Sequence, residues 1–259
     1  MKDYVEENER ILKEWRKCNE EYGETNFADD GIMYRGIIEE NDYGTERYSD
    51  KEKENKIWNE APLRILFLTK DQNAGGYGAW DVRGETGSLS YAFFRNLMYQ
   101  LYGLVNTNSD YKEGYTFSKE EAIELYKSYP IARINAKKEA GYSSVSNNTL
   151  KYYIERDREF LKKQILNLDA DIIVCCGYSE NIEDSGNLLL NFLKKECYYD
   201  LNKQNDDSWI YYDENQNKIA INNWHLSARK NSENWYSQLI DAYYHFLKEH
   251  PDFSKSHRI

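Results

Sequence analysis

Asp171-Ile172-Ile173-Val174-Cys175-Cys176-Gly177 decides the fold class. It is an unbroken apolar run, β-branched at its start and bounded by an aspartate and a glycine. Such a run reads as a strand buried on both faces, the kind found inside a parallel sheet. Before it, residues 149–168 have helical spacing, and residues 185–196 after it are again helical. Further out the same alternation recurs. Arg64-Ile65-Leu66-Phe67-Leu68, Pro130 to Asn135 and Lys218 to Asn222 read as strands. Residues 88–104 carry an apolar stripe (Leu89, Phe93, Leu97, Leu101, Leu104) and predict a helix. Residues 118–127 open with a capping box, Ser118 and Glu121, and residues 231–249 predict a last helix closed before Pro251. Strands alternating with helices predict an α/β fold, a three-layer α/β/α arrangement with a central, mostly parallel, four-stranded sheet. That domain is expected over residues 61–259. Residues 1–60 read as an N-terminal helical and irregular extension packed on the core: a charge-laced helix over 4–21, polar turns over 22–60 and a short helix before Pro62.

The chain has 259 residues, a net charge of -11, and 15 % aromatic residues including 24 Tyr. Disordered chains are poor in aromatics, so a packed core is expected. The negative charge argues against a sequence-independent DNA coat, but leaves room for a local cationic patch that grips a few phosphates. The four cysteines, Cys18, Cys175, Cys176 and Cys197, form no C-x-x-C pair and read as buried free thiols. No apolar stretch suits a signal peptide or a membrane span. The expectation is a soluble, cytoplasmic monomer with no cofactor and no metal.

In open α/β sheets ligands bind outside the carboxyl ends of the strands. The segments there are Thr69-Lys70-Asp71-Gln72-Asn73-Ala74-Gly75-Gly76, then Asn135-Ala136-Lys137-Lys138-Glu139-Ala140-Gly141-Tyr142-Ser143-Ser144, then Gly177-Tyr178-Ser179, then Asn223-Trp224-His225-Leu226-Ser227-Ala228-Arg229. Singly, each has a bland reading: Asp71 as a turn cap, His225 as a structural histidine, Lys137 and Lys138 as a solvated pair, the glycines as turn formers. Jointly they gather an acid, amides, a histidine and cations at one edge.

In this order the segments resemble the uracil-DNA glycosylase superfamily. That family has an acidic or amide catalytic residue after its first core strand, a base-reading Asn after the next, and a His-Pro-Ser-like loop after the last. The counterparts are Lys70-Asp71-Gln72-Asn73, Arg133-Ile134-Asn135 and His225-Leu226-Ser227-Ala228-Arg229. With Asp30-Gly31-Ile32 and Asn135-Ala136-Lys137-Lys138-Glu139-Ala140-Gly141, the chain is most similar to a bacterial branch of uracil-DNA glycosylase-like proteins. The resemblance covers roughly residues 28–245 and implies hydrolysis of the N-glycosidic bond of a base flipped out of DNA. It implies that Asp71 stabilises the cationic sugar and orients water, and that His225 donates to the base oxygen. It assigns the Watson–Crick edge to Asn135, further base contacts to Asn73, Tyr77 and Trp80, and DNA contacts to Lys70, Lys138, Ser143, Ser227 and Arg229. Gln72-Asn73 stands where the family has Pro-Tyr, whose Tyr excludes bulky bases, so a wider range of deaminated or modified bases is expected. Leu226 replaces the loop proline.

Two other readings are a non-catalytic nucleic-acid or nucleotide binder on the same fold, and a hydrolase holding a metal with Asp71, Asp81 and Glu85. Asp71, Asn135 and His225 are expected to line one cleft with a locally positive rim of Lys70, Arg83, Lys137, Lys138 and Arg229.

Overall fold

The structure, a computed structural model, describes residues 2–41, 44–110, 118–142, 144–198, 200–205 and 209–253. Along the chain the elements are α1 (Tyr4–Glu21), β1 (Gly31–Ile32), β2 (Ile38–Asn41), β3 (Gly44–Arg47), α2 (Lys51–Glu60), β4 (Ile65–Thr69), α3 (Ala92–Asn106), α4 (Lys119–Ser128) and β5 (Ile131–Asn135). There follow α5 (Asn147–Arg156), α6 (Arg158–Leu168), β6 (Ile172–Cys176), α7 (Leu188–Phe192), β7 (Asn202–Lys203), β8 (Ile210–Asp213), β9 (Lys218–Asn223) and α8 (Ser232–Glu249).

The expected count of four strands is corrected: among the described residues the main sheet has seven, in the order β1-β5-β4-β6-β9-β8-β7. The pairs β4–β5, β4–β6 and β6–β9 are parallel, whereas β1, β8 and β7 are joined antiparallel at the two edges. Strands β2 and β3 form a separate hairpin. Every residue of β4, β5, β6 and β9 is buried, because helices cover both faces. Alternate side chains of a strand enter opposite layers. Leu66, Leu68, Ile134, Ile173 and Cys175 pack with α1, α5, α6 and α7. Ile65, Phe67, Ile131, Val174 and Ile221 pack with α3, α4 and α8.

The expected helix over 149–168 is two helices. Asp157 leaves helical geometry at φ -100°, ψ 12°, its buried carboxylate held by Arg156 at 2.7 Å, and its carbonyl restarts the next helix by accepting from Leu161 N–H. The helix expected over 185–196 is α7 extended by a wider π turn, Leu193–Cys197. Tyr4, Val5, Leu12, Trp15, Phe27 and Trp58 pack into the core, and Gly31–Ile32 supply β1, an edge strand of the main sheet. Among the described residues no helix is long and apolar enough to cross a membrane. Cys175, Cys176 and Cys197 are buried free thiols and Cys18 is half-buried.

Candidate functional site

Strand β4 lies between β5 and β6, so the chain leaves it to one side and then crosses back past it. The carboxyl ends of β4 and β6 therefore flank the switch crevice where open sheets bind ligands. Lys70 and Asp71 follow β4 there, and Ser179 follows β6. The amide of Asn147, at the start of α5, lies 3.5 Å from Lys70 Nζ and 3.4 Å from Ser179 Oγ.

The Asp71 side chain is 7 % exposed, and Lys137 Nζ lies 3.8 Å from its Oδ2, an oxygen with no hydrogen-bond partner. Burial raises the Asp71 pKa above its ordinary value, against the pull of Lys137 and Lys70. Burial likewise lowers Lys137 and Lys70, against the opposing charge of Asp71. The acid and its two cations are thus all held out of water, and each charge depends on the others.

Asn135 ends β5 and is fully buried. Its Oδ1 accepts from Thr69 Oγ1 at 2.7 Å, while its Nδ2 has no partner. Its backbone N–H donates to Asp30 Oδ2 at 2.8 Å.

His225 follows β9, whose end is pinned by Asn223 bonding Gln100 and Trp235 at 2.8 Å each. Leu226 is an apolar anchor, fully buried, with its carbonyl accepting from Asn96 at 2.6 Å; this is what stands in place of a loop proline. The backbone N–H of Ser227 donates to His225 Nδ1 at 3.3 Å, so the neutral ring carries its proton on Nε2. Burial, then the charges of Lys70 and Arg133, lower the His225 pKa to about 4. The Phe93 ring stands 6.2 Å from the His225 ring and carries the Arg133 guanidinium 4.6 Å over it. Lys70 acts on both Asp71 and His225, and Thr69 ties Asn135 to the strand that carries Asp71. The structure thus brings these three expected residues to one end of the sheet.

The other expected residues divide. Asn73 is exposed, and its Oδ1 accepts from Gly75 N–H at 3.2 Å, shaping the glycine loop. Tyr77 is 96 % exposed on that loop. Trp80 is pinned by Gln72, which bonds its carbonyl at 3.1 Å and its N–H at 3.2 Å, and by Glu85 on its indole N–H at 2.7 Å. Ser227 and Arg229 are exposed beside His225. Ser143 lies outside the described residues.

Two expected cations are corrected. Lys138 is fully buried: its Nζ donates to both oxygens of Asp30 at 2.6 Å and to Gln164 at 2.9 Å. It is an internal strut and has no path to a phosphate. Arg83 is buried between Asp81, at 2.7 Å, and Glu9, at 2.5 Å, so it does not form a positive rim. The metal reading loses two of its three ligands: Asp81 is taken by Arg83 and by Tyr34 Oη at 2.6 Å, and Glu85 by Arg133 and Trp80. Among the described residues no group of three His, Cys, Asp or Glu side chains is placed to hold a metal ion.

In the sequence Thr69 appears only in the segment after the first strand and Asp30 only in the Asp30-Gly31-Ile32 motif, neither with a role, and Asn147 does not stand out at all. Thr69 is the last residue of a buried strand, and only the register against Asn135 reveals its role. No protein-family model matches the chain, and no curated protein matches it.

Proposed function

We propose that the protein is a DNA base glycosylase, with a three-layer fold of the uracil-DNA glycosylase type and four parallel strands at its centre. One observation carries the reading: a desolvated carboxylate with an unpartnered oxygen, Asp71, and a neutral histidine protonated on Nε2, His225, lie at the same end of the sheet, and the charge of Lys70 acts on both. Water attacks C1′ of the sugar, the N-glycosidic bond breaks, and its electron pair leaves with the base. The Asp71 carboxylate faces the cationic sugar and takes the proton of the attacking water. The His225 Nε2–H donates to the oxygen of the departing base anion. The unpartnered Nδ2 of Asn135 is a buried donor, which costs about 1–3 kcal/mol when unmade; a base carbonyl oxygen entering the crevice offsets that cost. Asn73, which stands where the family's barrier tyrosine would, is exposed and turned into the glycine loop, which supports a substrate range wider than uracil.

The test is incubation with oligonucleotides carrying a panel of deaminated and modified bases, in chelator, followed by alkali. Alkali-labile sites at one or more of these bases are expected. No cleavage at any of them, or cleavage that Asp71→Asn leaves unchanged, would sink the reading; tight binding without cleavage would favour a non-catalytic module.

A further inference from the structure

The two most exposed large apolar side chains among the described residues, Tyr77 and Tyr142, lie on the loops after β4 and β5, and a third exposed tyrosine, Tyr91, precedes α3. Tyr77 is 96 % exposed, Tyr142 83 % and Tyr91 67 %. Tyr77 and Tyr142 lie together, because the loops after β4 and β5 are zipped by Ala74 N–H to Gly141 O at 2.8 Å and by Gly141 N–H to Gln72 O at 2.9 Å. The Tyr142 ring lies on Gly76, where an added Cβ would stand 3.1 Å from a ring carbon. The ring therefore touches backbone on one side and is otherwise exposed. A second, half-buried aromatic group joins Tyr178 after β6, Trp224 after β9 and Trp209 before β8. Tyr178 meets Trp224 edge-on at 4.6 Å and Trp209 at 5.3 Å, and Lys230 Nζ sits 4.0 Å over Trp224.

The two groups straddle the crevice holding Asp71. Strands β5 and β9 are three sheet positions apart, about 14 Å at the usual strand spacing. That is room for roughly four nucleotides at the 3.4 Å rise per strand of a stacked helix. The charges around the site suit one partner. Lys138, Arg83 and Arg133 are consumed in internal ion pairs, and Lys137 faces Asp71. Lys70, Arg229 and Lys230 have no ion pair among those found between the described residues. A duplex, gripped through many phosphates, finds little here. A single strand is held by aromatic stacking with a few cations.

We propose that the aromatic groups on either side of the crevice, Tyr77 with Tyr142 and Tyr178 with Trp224, stack the bases flanking the target, so that the substrate is single-stranded DNA. This rests on the glycosylase reading for the reaction but not for the binding.

The experiment titrates the full-length protein with a 15-nucleotide oligothymidylate and with a duplex of equal length, following tryptophan fluorescence and repeating at several salt concentrations. Quenching by the single strand is expected, with at least tenfold preference over duplex. The log–log salt slope should be near -2, from about three phosphates neutralised at roughly 0.7 each. Tyr142→Ala and Trp224→Ala should each weaken single-strand binding about tenfold, and Trp224→Phe, which keeps a ring, should restore most of it. Because Tyr142 is exposed, its variant reports binding without a folding defect. Equal or tighter duplex binding, or single-strand affinity unchanged in both alanine variants, overturns the proposal. Single-strand binding without base release from any modified oligonucleotide would uphold this surface and sink the glycosylase reading instead.

Discussion

Replacing Lys138 by Met tests whether this lysine is a strut or a DNA contact. Its ammonium touches both Asp30 oxygens at 2.6 Å and Gln164 at 2.9 Å, and both charged side chains are fully buried. Met fills similar volume but removes the countercharge. Asp30 would keep its bonds from Asn135 N–H and Gln164 Nε2, both 2.8 Å, yet remain a buried carboxylate without a cation. Removing one partner of a buried pair costs about 3–5 kcal/mol. Against a total stability of about 5–15 kcal/mol that is a large share. At about 2–4 °C per kcal/mol for a domain of this size, Tm should fall by roughly 6–20 °C. Urea denaturation followed by far-UV circular dichroism reads the loss directly. The double variant Lys138→Met with Asp30→Asn carries no buried charge and should recover most of it. A loss under about 1 kcal/mol, together with weaker DNA binding and a salt slope shallower by about one, would refute the strut and restore the phosphate contact.

The other expected outcomes concern the site. Asp71→Asn should slow single-turnover base release by about 10²-fold or more. The wild-type acid limb should lie above the ordinary carboxyl value of 3.8, as burial raises the Asp71 pKa, and should vanish in the variant; a limb that survives belongs to another group. His225 has its pKa depressed from 6.5 to about 4, so the unfolded chain takes the proton first and the stability is lost as pH falls from about 6.5 towards 4. His225→Gln should flatten that part of a plot of urea midpoint against pH, and an unchanged plot would contradict the buried neutral ring. Asn135→Asp replaces the amide donor with an acceptor and should change which base is released from the panel rather than abolish all release. Gly31→Ala should destabilise by about 1–3 kcal/mol, since Gly31 has φ +137° and a Cβ there would stand 2.4 Å from Asn8 Nδ2; calorimetry showing no loss would contradict the tight packing of β1 against α1.

The parallel strands were legible because burial on both faces leaves an unbroken apolar run, as in Ile172–Cys176. The edge strands were not. Gly31–Ile32 and Asn202–Lys203 are two residues each, and they pair only because β5 and β8 present open edges. At the site, Asp71, Asn135 and His225 could be picked out because each follows a strand in the order the sheet requires. The cations could not be sorted the same way. Lys137 and Lys138 are neighbours in sequence, yet Lys137 reaches Asp71 on the β4 side of β5 and Lys138 reaches Asp30 on the β1 side. Spacing shows that two lysines leave the strand together but not which carboxylate each will meet, since both partners come from distant segments.

Asp30-Gly31-Ile32 gains a physical meaning from the same contacts. The Asp30 carboxylate accepts from Lys138, from Gln164 and from the backbone N–H of Asn135, while its carbonyl accepts from Asn8 at 2.9 Å. Gln164 in turn donates to Asn8 at 3.0 Å. Helices α1 and α6, strand β1 and the end of β5 are thereby joined through one buried carboxylate. An apolar filling of similar volume is often at least as stable as a buried ion pair, so net stability gives little reason to keep charges here. What charges add is direction. A carboxylate that must satisfy an ammonium, an amide and a backbone N–H has one position that serves all three, and that position fixes where the backbone of Asn135 stops. Thr69, from the opposite side, then fixes where its amide points. The N-terminal segment is on this account part of the frame that holds Asn135, the residue proposed to read the base, which is why its Asp-Gly-Ile belongs with the strand-end motifs although it never reaches the crevice.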